Sequence, residues 1–249
     1  MRLPAKNPNF GSNTIDALVF DFDGTLANTL ESSLLTLEST LLHFGINLPK
    51  SLSINTYGPL SVAGMFYQAG VSKKEMLQTL VKHYNTLYRE IAPIIAWLYP
   101  GVRSTLNIWM GHGYCLAIAT NESRENLDLL LDAFDIRPIF NTTCCADEVR
   151  QPKPLPDMGR KILTTLGTSP SRSLMVGDSV CDIEMARNTY MRSCAVSWGA
   201  TTFDRLLESS PSLAITDFSH LLDILDISKT NLEFHNIFVN KTTGKSENG

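Results

Sequence analysis

Apolar and polar positions along this chain come in blocks rather than in strict alternation. Short apolar runs ("ALVF" from Ala17, "YCLAIAT" from Tyr114, "SLMVGD" from Ser173, "SCAVSWG" from Ser193 and "LAIT" from Leu213) are each bounded by polar or glycine residues. Brief runs of this kind predict strands covered on both faces. Between them apolar residues recur at helical spacing, as at Leu127, Leu130, Leu131 and Phe134, and again at Met158, Ile162 and Leu166. Strands alternating with helices predict an α/β fold, a doubly wound and mainly parallel sheet with helices on both faces.

One section breaks this rhythm. From about Leu30 to Trp97 there is no strand pattern. Leu30, Leu34, Leu37, Leu41 and Phe44 fall on one helix face, with Asn28 and Glu31 placed to cap it. "SKKE" from Ser72 to Glu75 reads as a capping box opening a second helix, whose face carries Leu77, Leu80, Val81, Tyr84, Leu87, Tyr88 and Ile91. Pro59, Gly64 and Gly70 punctuate the middle, and "YGPLSVAGM", Tyr57 to Met65, reads as a shaped loop. The expected organisation is a Rossmann-like core at 14–29 and 98–227, an inserted helical cap at 30–97, and a C-terminal extension at 228–249 whose polar end reads as disordered.

Composition narrows the class. The chain has 249 residues, 43% hydrophobic and 18% charged, enough for a sizeable core, and its net charge of -4 argues against a nucleic-acid partner. The five cysteines form no CxxC pair, the five histidines show no ligand spacing, and the three tryptophans read as core. The first fourteen residues contain no apolar leader, and no apolar run approaches the ~18 residues of a membrane span. Reduced thiols in a cytoplasmic protein, monomeric or homodimeric, are expected.

The candidate chemistry lies where strands end. Asp21 and Asp23 follow the first strand in "VFDFDGT", Thr120 and Asn121 follow another in "IATN", and Asp178 follows a third in "GDSVCD", with Asp182 four residues on. Ligands of open parallel sheets bind beyond these carboxyl ends. Carboxylates converging there repel one another, and a hard cation such as Mg2+ resolves the conflict with Asp21 and Asp178 as ligands. Asp21 could then attack phosphorus, and Asp23 could protonate the leaving alcohol and later activate water. Gly24 suits the sharp exit from the strand, followed by Thr25. Lys153, between prolines in "QPKPLPD", supplies a positive charge, and Thr120 and Asn121 supply donors for phosphate oxygens. Taken singly, "IATN" also fits a helix cap, and Lys153 a solvated loop lysine.

In order and spacing these motifs resemble the haloacid dehalogenase superfamily, over about Asp16 to Leu225. "DFDGT", "IATN", "KPLPD" and "GDSVCD" are similar to its four motifs. The helical insert resembles the cap of the phosphoglycolate-phosphatase and β-phosphoglucomutase branch. The resemblance implies Asp21 as nucleophile and metal ligand, and Asp23 as acid/base and a ligand through its backbone carbonyl. It implies Thr120 and Lys153 on the phosphoryl group, Asp178 as a ligand and Asp182 in support. Asn28 and Glu122 stand where close phosphoglycolate phosphatases tend to have Asp and often have Lys, which leaves the substrate open. The expected function is Mg2+-dependent hydrolysis of a small phosphorylated metabolite through an aspartyl-phosphate. The alternatives are a sugar phosphomutase of the same branch and a non-catalytic binding protein on the same fold.

Overall fold

In the computed structural model, which describes residues 15–47 and 60–223, the chain runs in the order β1 (Ala17–Phe20), β2 (Ala27–Asn28), α1 (Leu30–His43), α2 (Val62–Gln68), α3 (Lys74–Ile95), β3 (Trp97–Leu98), α4 (Val102–Gly111), β4 (Cys115–Thr120), α5 (Arg124–Ala133), β5 (Thr142–Cys145), α6 (Asp157–Leu166), β6 (Ser173–Gly177), α7 (Val180–Asn188), β7 (Arg192–Val196), α8 (Phe203–Glu208) and β8 (Leu213–Ile215). Six of the strands form one parallel sheet in the order β5-β4-β1-β6-β7-β8. β1 lies inside it with all four residues buried, pairing Ala17 with Cys115 on one side and with Ser173 on the other. The chain leaves β1 towards β4 and later returns to β6 on the opposite side. That reversal opens a crevice at the carboxyl ends of β1, β4 and β6.

Alternate residues of the strands feed two separate cores. Leu18 and Phe20 pack with Leu116, Ile118, Leu174 and Val176 against Leu106 and Trp109 of α4 and Leu127 of α5. Ala17 and Val19 face the other way, with Ala117, Ala119 and Met175, against Met158 and Ile162 of α6 and Met185 of α7. Both faces of the sheet are therefore dry, which is why its strands read as continuous apolar runs.

The first three helices form the insert. α1 packs along α3, burying Leu37, Leu41, Leu80 and Tyr84, and α2 adds Met65 and Phe66, the latter edge-on to Tyr84 at 6.1 Å between ring centroids. The two connections to the sheet, β2 and β3, pair with each other antiparallel, Ala27 opposite Leu98 and Asn28 opposite Trp97. Arg89 of α3 reaches Glu125 of α5 at 2.5 Å, tying the insert to the sheet domain. Among the described residues, no helix is long and apolar enough to cross a membrane.

Several local expectations need correcting. Thr29, not Asn28, is the N-cap residue of α1, and its side chain makes no capping bond because its hydroxyl is turned to Asp23. The "SKKE" capping box does not form, since α3 begins at Lys74 with Lys73 as an extended N-cap. From Val62 the expected loop Tyr57–Met65 is already helix, and Tyr57 to Pro59 lie outside the described residues, as does the extension 228–249. Strand β5 was invisible because "TTCC" contains no bulky apolar residue, although Cys144 and Cys145 are fully buried and the described cysteines are all free. Trp109 is core, but Trp97 is 45% exposed beside the insert's return to the sheet, and Trp198 is half-buried.

Candidate active site

Asp21 follows β1 directly and takes over the strand's last hydrogen bond, its N–H donating to Val176 O at 2.9 Å. Its Oδ1 accepts from the Phe22 N–H at 2.7 Å and faces the Lys153 ammonium at 2.7 Å. Among the described residues no donor reaches Oδ2, and the side chain lines the pocket at the sheet's carboxyl end. Burial raises the Asp21 pKa well above the usual carboxylate range, reinforced by the negative charge of Asp182 and opposed by Lys153.

Asp23 lies between insert and sheet. Its Oδ1 accepts from Thr29 Oγ1 at 2.7 Å and its Oδ2 from Thr120 Oγ1 at 3.2 Å. Burial raises its pKa, and these two hydrogen bonds hold the rise back. The turn carrying it closes through Gly24, whose N–H donates to Ala27 O at 2.8 Å. Gly24 has φ +78°, and a Cβ there would stand 2.4 Å from Asp178 Oδ2, so both its conformation and its contact require glycine.

Asp178, just after β6, is held from both sides. Thr25 Oγ1 donates to its Oδ1 at 2.9 Å, and the Ala200 N–H donates to its Oδ2 at 2.7 Å. Burial, with the charge of Asp182, pushes its pKa up to about 7. Asp182 stands one turn into α7, where Oδ2 accepts from Ser179 N at 3.0 Å and Ser179 Oγ at 2.6 Å, and Oδ1 accepts from Lys153 Nζ at 2.7 Å. Lys153 is thus buried between two carboxylates. Burial works against its charge, but Asp182 and Asp21 outweigh it and raise its pKa. The solvated-lysine alternative is excluded.

The structure brings Asp21, Asp23, Thr120, Asn121, Lys153 and Asp178 to one pocket, with Gly24, Thr25 and Asp182 directly behind. Two of these residues have partners the sequence did not reveal. Thr120 gives its hydroxyl proton to Asp23 and accepts from the Glu122 N–H at 3.0 Å. Asn121 uses its side-chain amide to hold the Lys153 carbonyl at 3.1 Å.

Other pocket residues were missed. Ala200 contributes from a loop after β7, and Thr29, just before α1, stands behind the pocket as a partner of Asp23. Glu122 has a pKa pushed up to about 7 by burial and by the neighbouring Asp23 charge. Glu122, noted in the sequence only as a departure from close phosphoglycolate phosphatases, lines the pocket from the turn after β4. Cys181 also lines the pocket.

Asp21, Asp178 and Asp182 each present a carboxylate oxygen within 4.8 Å of the others. The donors are all hard oxygens, and Lys153 is the single cation paired with the group among the described residues. Burial, and after it the charge of Asp182, raises the pKa values of Asp21 and Asp178, and a bound cation would favour their charged forms. A hard metal cation fits this cluster.

The model of the family described as "Haloacid dehalogenase-like hydrolase" matches residues 18–196, from β1 to the end of β7. The chain belongs to that family. It is a haloacid dehalogenase-like hydrolase. The chain is 30% identical over 209 residues to the "Probable phosphatase IndB" of Dickeya dadantii, covering 82% of this chain and 91% of that one. It is 30% identical over 215 residues to the phosphoglycolate phosphatase of Haemophilus influenzae, covering 83% and 96%. A crystal structure of a "predicted phosphoglycolate phosphatase" from Haemophilus somnus superposes with a TM-score of 0.77 at 27% identity, covering 86% of this chain and all of that one.

Proposed function

We propose that this haloacid dehalogenase-like phosphatase hydrolyses a small phosphomonoester with Mg2+, through an aspartyl-phosphate formed on Asp21. The observation that carries this reading is the asymmetry of Asp21. One oxygen is held by Phe22 N–H and Lys153, and the other is open to the pocket. A carboxylate fixed in that way presents a single aimed oxygen to phosphorus.

Asp21, Asp178 and the backbone carbonyl of Asp23 would hold the Mg2+, which when bound draws charge from the phosphoryl oxygens and keeps Asp21 ionised. Lys153 neutralises further phosphoryl charge from its fixed place between Asp21 and Asp182. On the β4 side Asn121 contributes the amide N–H not used on the Lys153 carbonyl, while Thr120, whose hydroxyl donates to Asp23, acts by positioning that carboxylate. Asp23 lies beside the leaving group, and its raised pKa suits a group that gives a proton to the departing alcohol and then takes one from water. Thr29 and Thr120 hold its two oxygens in place for both steps.

Residues 30–97 act as the cap over this chamber, residues 14–29 and 98–227 as the catalytic core, and 228–249 as an appended segment. Small phosphorylated metabolites fit a site lined by residues of α1, α2 and α3. The relatives named phosphoglycolate phosphatase, and the pyrophosphatase PpaX of Bacillus pumilus at 26% identity, agree with a phosphoryl group as the reacting centre. The test is to quench the enzyme in acid during turnover of a phosphomonoester with Mg2+ and map any acyl phosphate by mass spectrometry. A label on Asp21 is expected. Turnover with a label on another residue would overturn the assignment.

A further inference from the structure

We infer that the alcohol part of the substrate carries hydrogen-bond donors, hydroxyl or ammonium, and no carboxylate, and that Glu122 is the residue that makes this choice. The inference rests on the phosphatase reading above and names the substrate class for that site.

Glu122 lines the same pocket as Asp21 and Asp23. Its Oε1 is held by the Ser123 N–H at 2.7 Å and Asn126 Nδ2 at 3.0 Å. The Ser123 hydroxyl also acts on this carboxyl, and among the described residues no hydrogen bond of ordinary geometry is made to Oε2. The carboxyl is therefore fixed through one oxygen and presents the other to the pocket, an arrangement that accepts a donor from a ligand. Among the described residues the remaining wall offers no compensating cation. On the insert side its described residues are apolar, Leu30, Leu34, Leu60, Val62 and Met65, or neutral, Ser33, Ser61 and Tyr84. The Ser33 hydroxyl already donates to Thr29 O, and that of Tyr84 to Ser33 O. The single lysine among the described lining residues is Lys153, held by Asp21 and Asp182.

The consequence is electrostatic. The phosphoryl group has Lys153 and the metal cluster to receive it. A second anion on the same substrate would meet Glu122 with no positive partner. Like charges brought together in a partly desolvated site cost several kcal/mol, and this is how such a site rejects a wrong ligand. A hydroxyl or ammonium in the same place instead gives Oε2 the donor it lacks, with charge assistance.

Steady-state kinetics at pH 8 with excess Mg2+ test this, using phosphoethanolamine, glycerol phosphate, phosphoglycolate and p-nitrophenyl phosphate. The wild type should favour the first two over phosphoglycolate in kcat/KM by about tenfold or more. Glu122→Gln keeps an oxygen for Ser123 and Asn126 but removes the charge. It should move the ratio about tenfold towards phosphoglycolate, and Glu122→Lys further still. A wild type that prefers phosphoglycolate, or a ratio unmoved in both variants, overturns the inference. Failure to cleave even p-nitrophenyl phosphate would overturn the phosphatase reading instead. In that event calorimetric binding of the other three esters to wild type and Glu122→Gln still decides the ligand class, by the same order of preference.

Discussion

The Lys153 ammonium stands 2.7 Å from Asp21 and 2.7 Å from Asp182, with the lysine and both carboxylates buried. It therefore serves the fold as well as the site. Removing one partner of a buried ion group leaves the other charges uncompensated, at a cost of about 3–5 kcal/mol. Lys153→Ala should lower stability by about that amount in urea denaturation. Adding Asp182→Asn should recover part of the loss, because one of the two stranded charges is then gone. Strict additivity of the two changes would show that the pair is not coupled.

The two aspartates after β1 should fail differently. Asp21→Asn removes the aimed oxygen and should abolish both phosphoenzyme and turnover. Asp23→Asn leaves Asp21 intact but removes the proton shuttle, so turnover should fall by a factor of ~10² to 10⁴, least for esters with good leaving groups. Rapid-quench and steady-state measurements on the same ester separate the cases. Wild-type activity in Asp21→Asn would end the mechanism.

Activity should depend on Mg2+ and be inhibited by Ca2+. Ca2+ takes six to eight ligands in a looser shell and can hold both oxygens of a carboxylate, which would engage the Asp21 oxygen that must attack. Titrating Ca2+ at constant Mg2+ should lower kcat, and excess EDTA should abolish turnover. Full activity in EDTA contradicts the role given to the cluster.

The metal-free protein should lose stability as pH rises. Burial raises Asp178 from 3.8 to about 7 in the folded state and Glu122 from 4.5 to about 7. For such groups the stabilising contribution is complete below the unfolded pKa and is lost as pH climbs through the folded one. In EDTA the Tm should therefore fall between about pH 5 and about pH 8. Asp178→Asn should flatten the slope, and Mg2+ should reduce it. A Tm that rises across this range in EDTA would contradict the assigned environments.

The cap should restrict substrate size. Residues of helices α1, α2 and α3 line the pocket, and the Arg89–Glu125 bridge at 2.5 Å ties α3 to α5. Small phosphomonoesters should be turned over in preference to a phosphopeptide, as expected of a site closed by a lid. Substitutions at Leu60 or Met65, which line the pocket, should change ratios among small esters. A wild-type preference for the phosphopeptide would refute the lid.

The sequence by itself determined the layered architecture, because a strand buried on both faces must be apolar throughout. "ALVF", "SLMVGD" and "LAIT" could hardly be read otherwise. It also determined which carboxylates meet, since Asp21, Asp23 and Asp178 follow strands that share one end of a parallel sheet. Strand β5 stayed hidden because Thr142 to Cys145 earn their place through neighbours rather than bulk: Ala117 to Thr120 pair with them, and Cys144 and Cys145 are buried. The cap of α1 stayed hidden for a related reason, the Thr29 hydroxyl being drawn to Asp23. Only the tertiary structure decided that Lys153 is buried, that Asn121 holds its carbonyl, that Ala200 holds Asp178 and that Glu122 shares the pocket with Asp23. Each of these joins segments far apart in the chain. Their energies come from desolvation and charge proximity, and both depend on which groups the fold sets side by side, not on local sequence pattern.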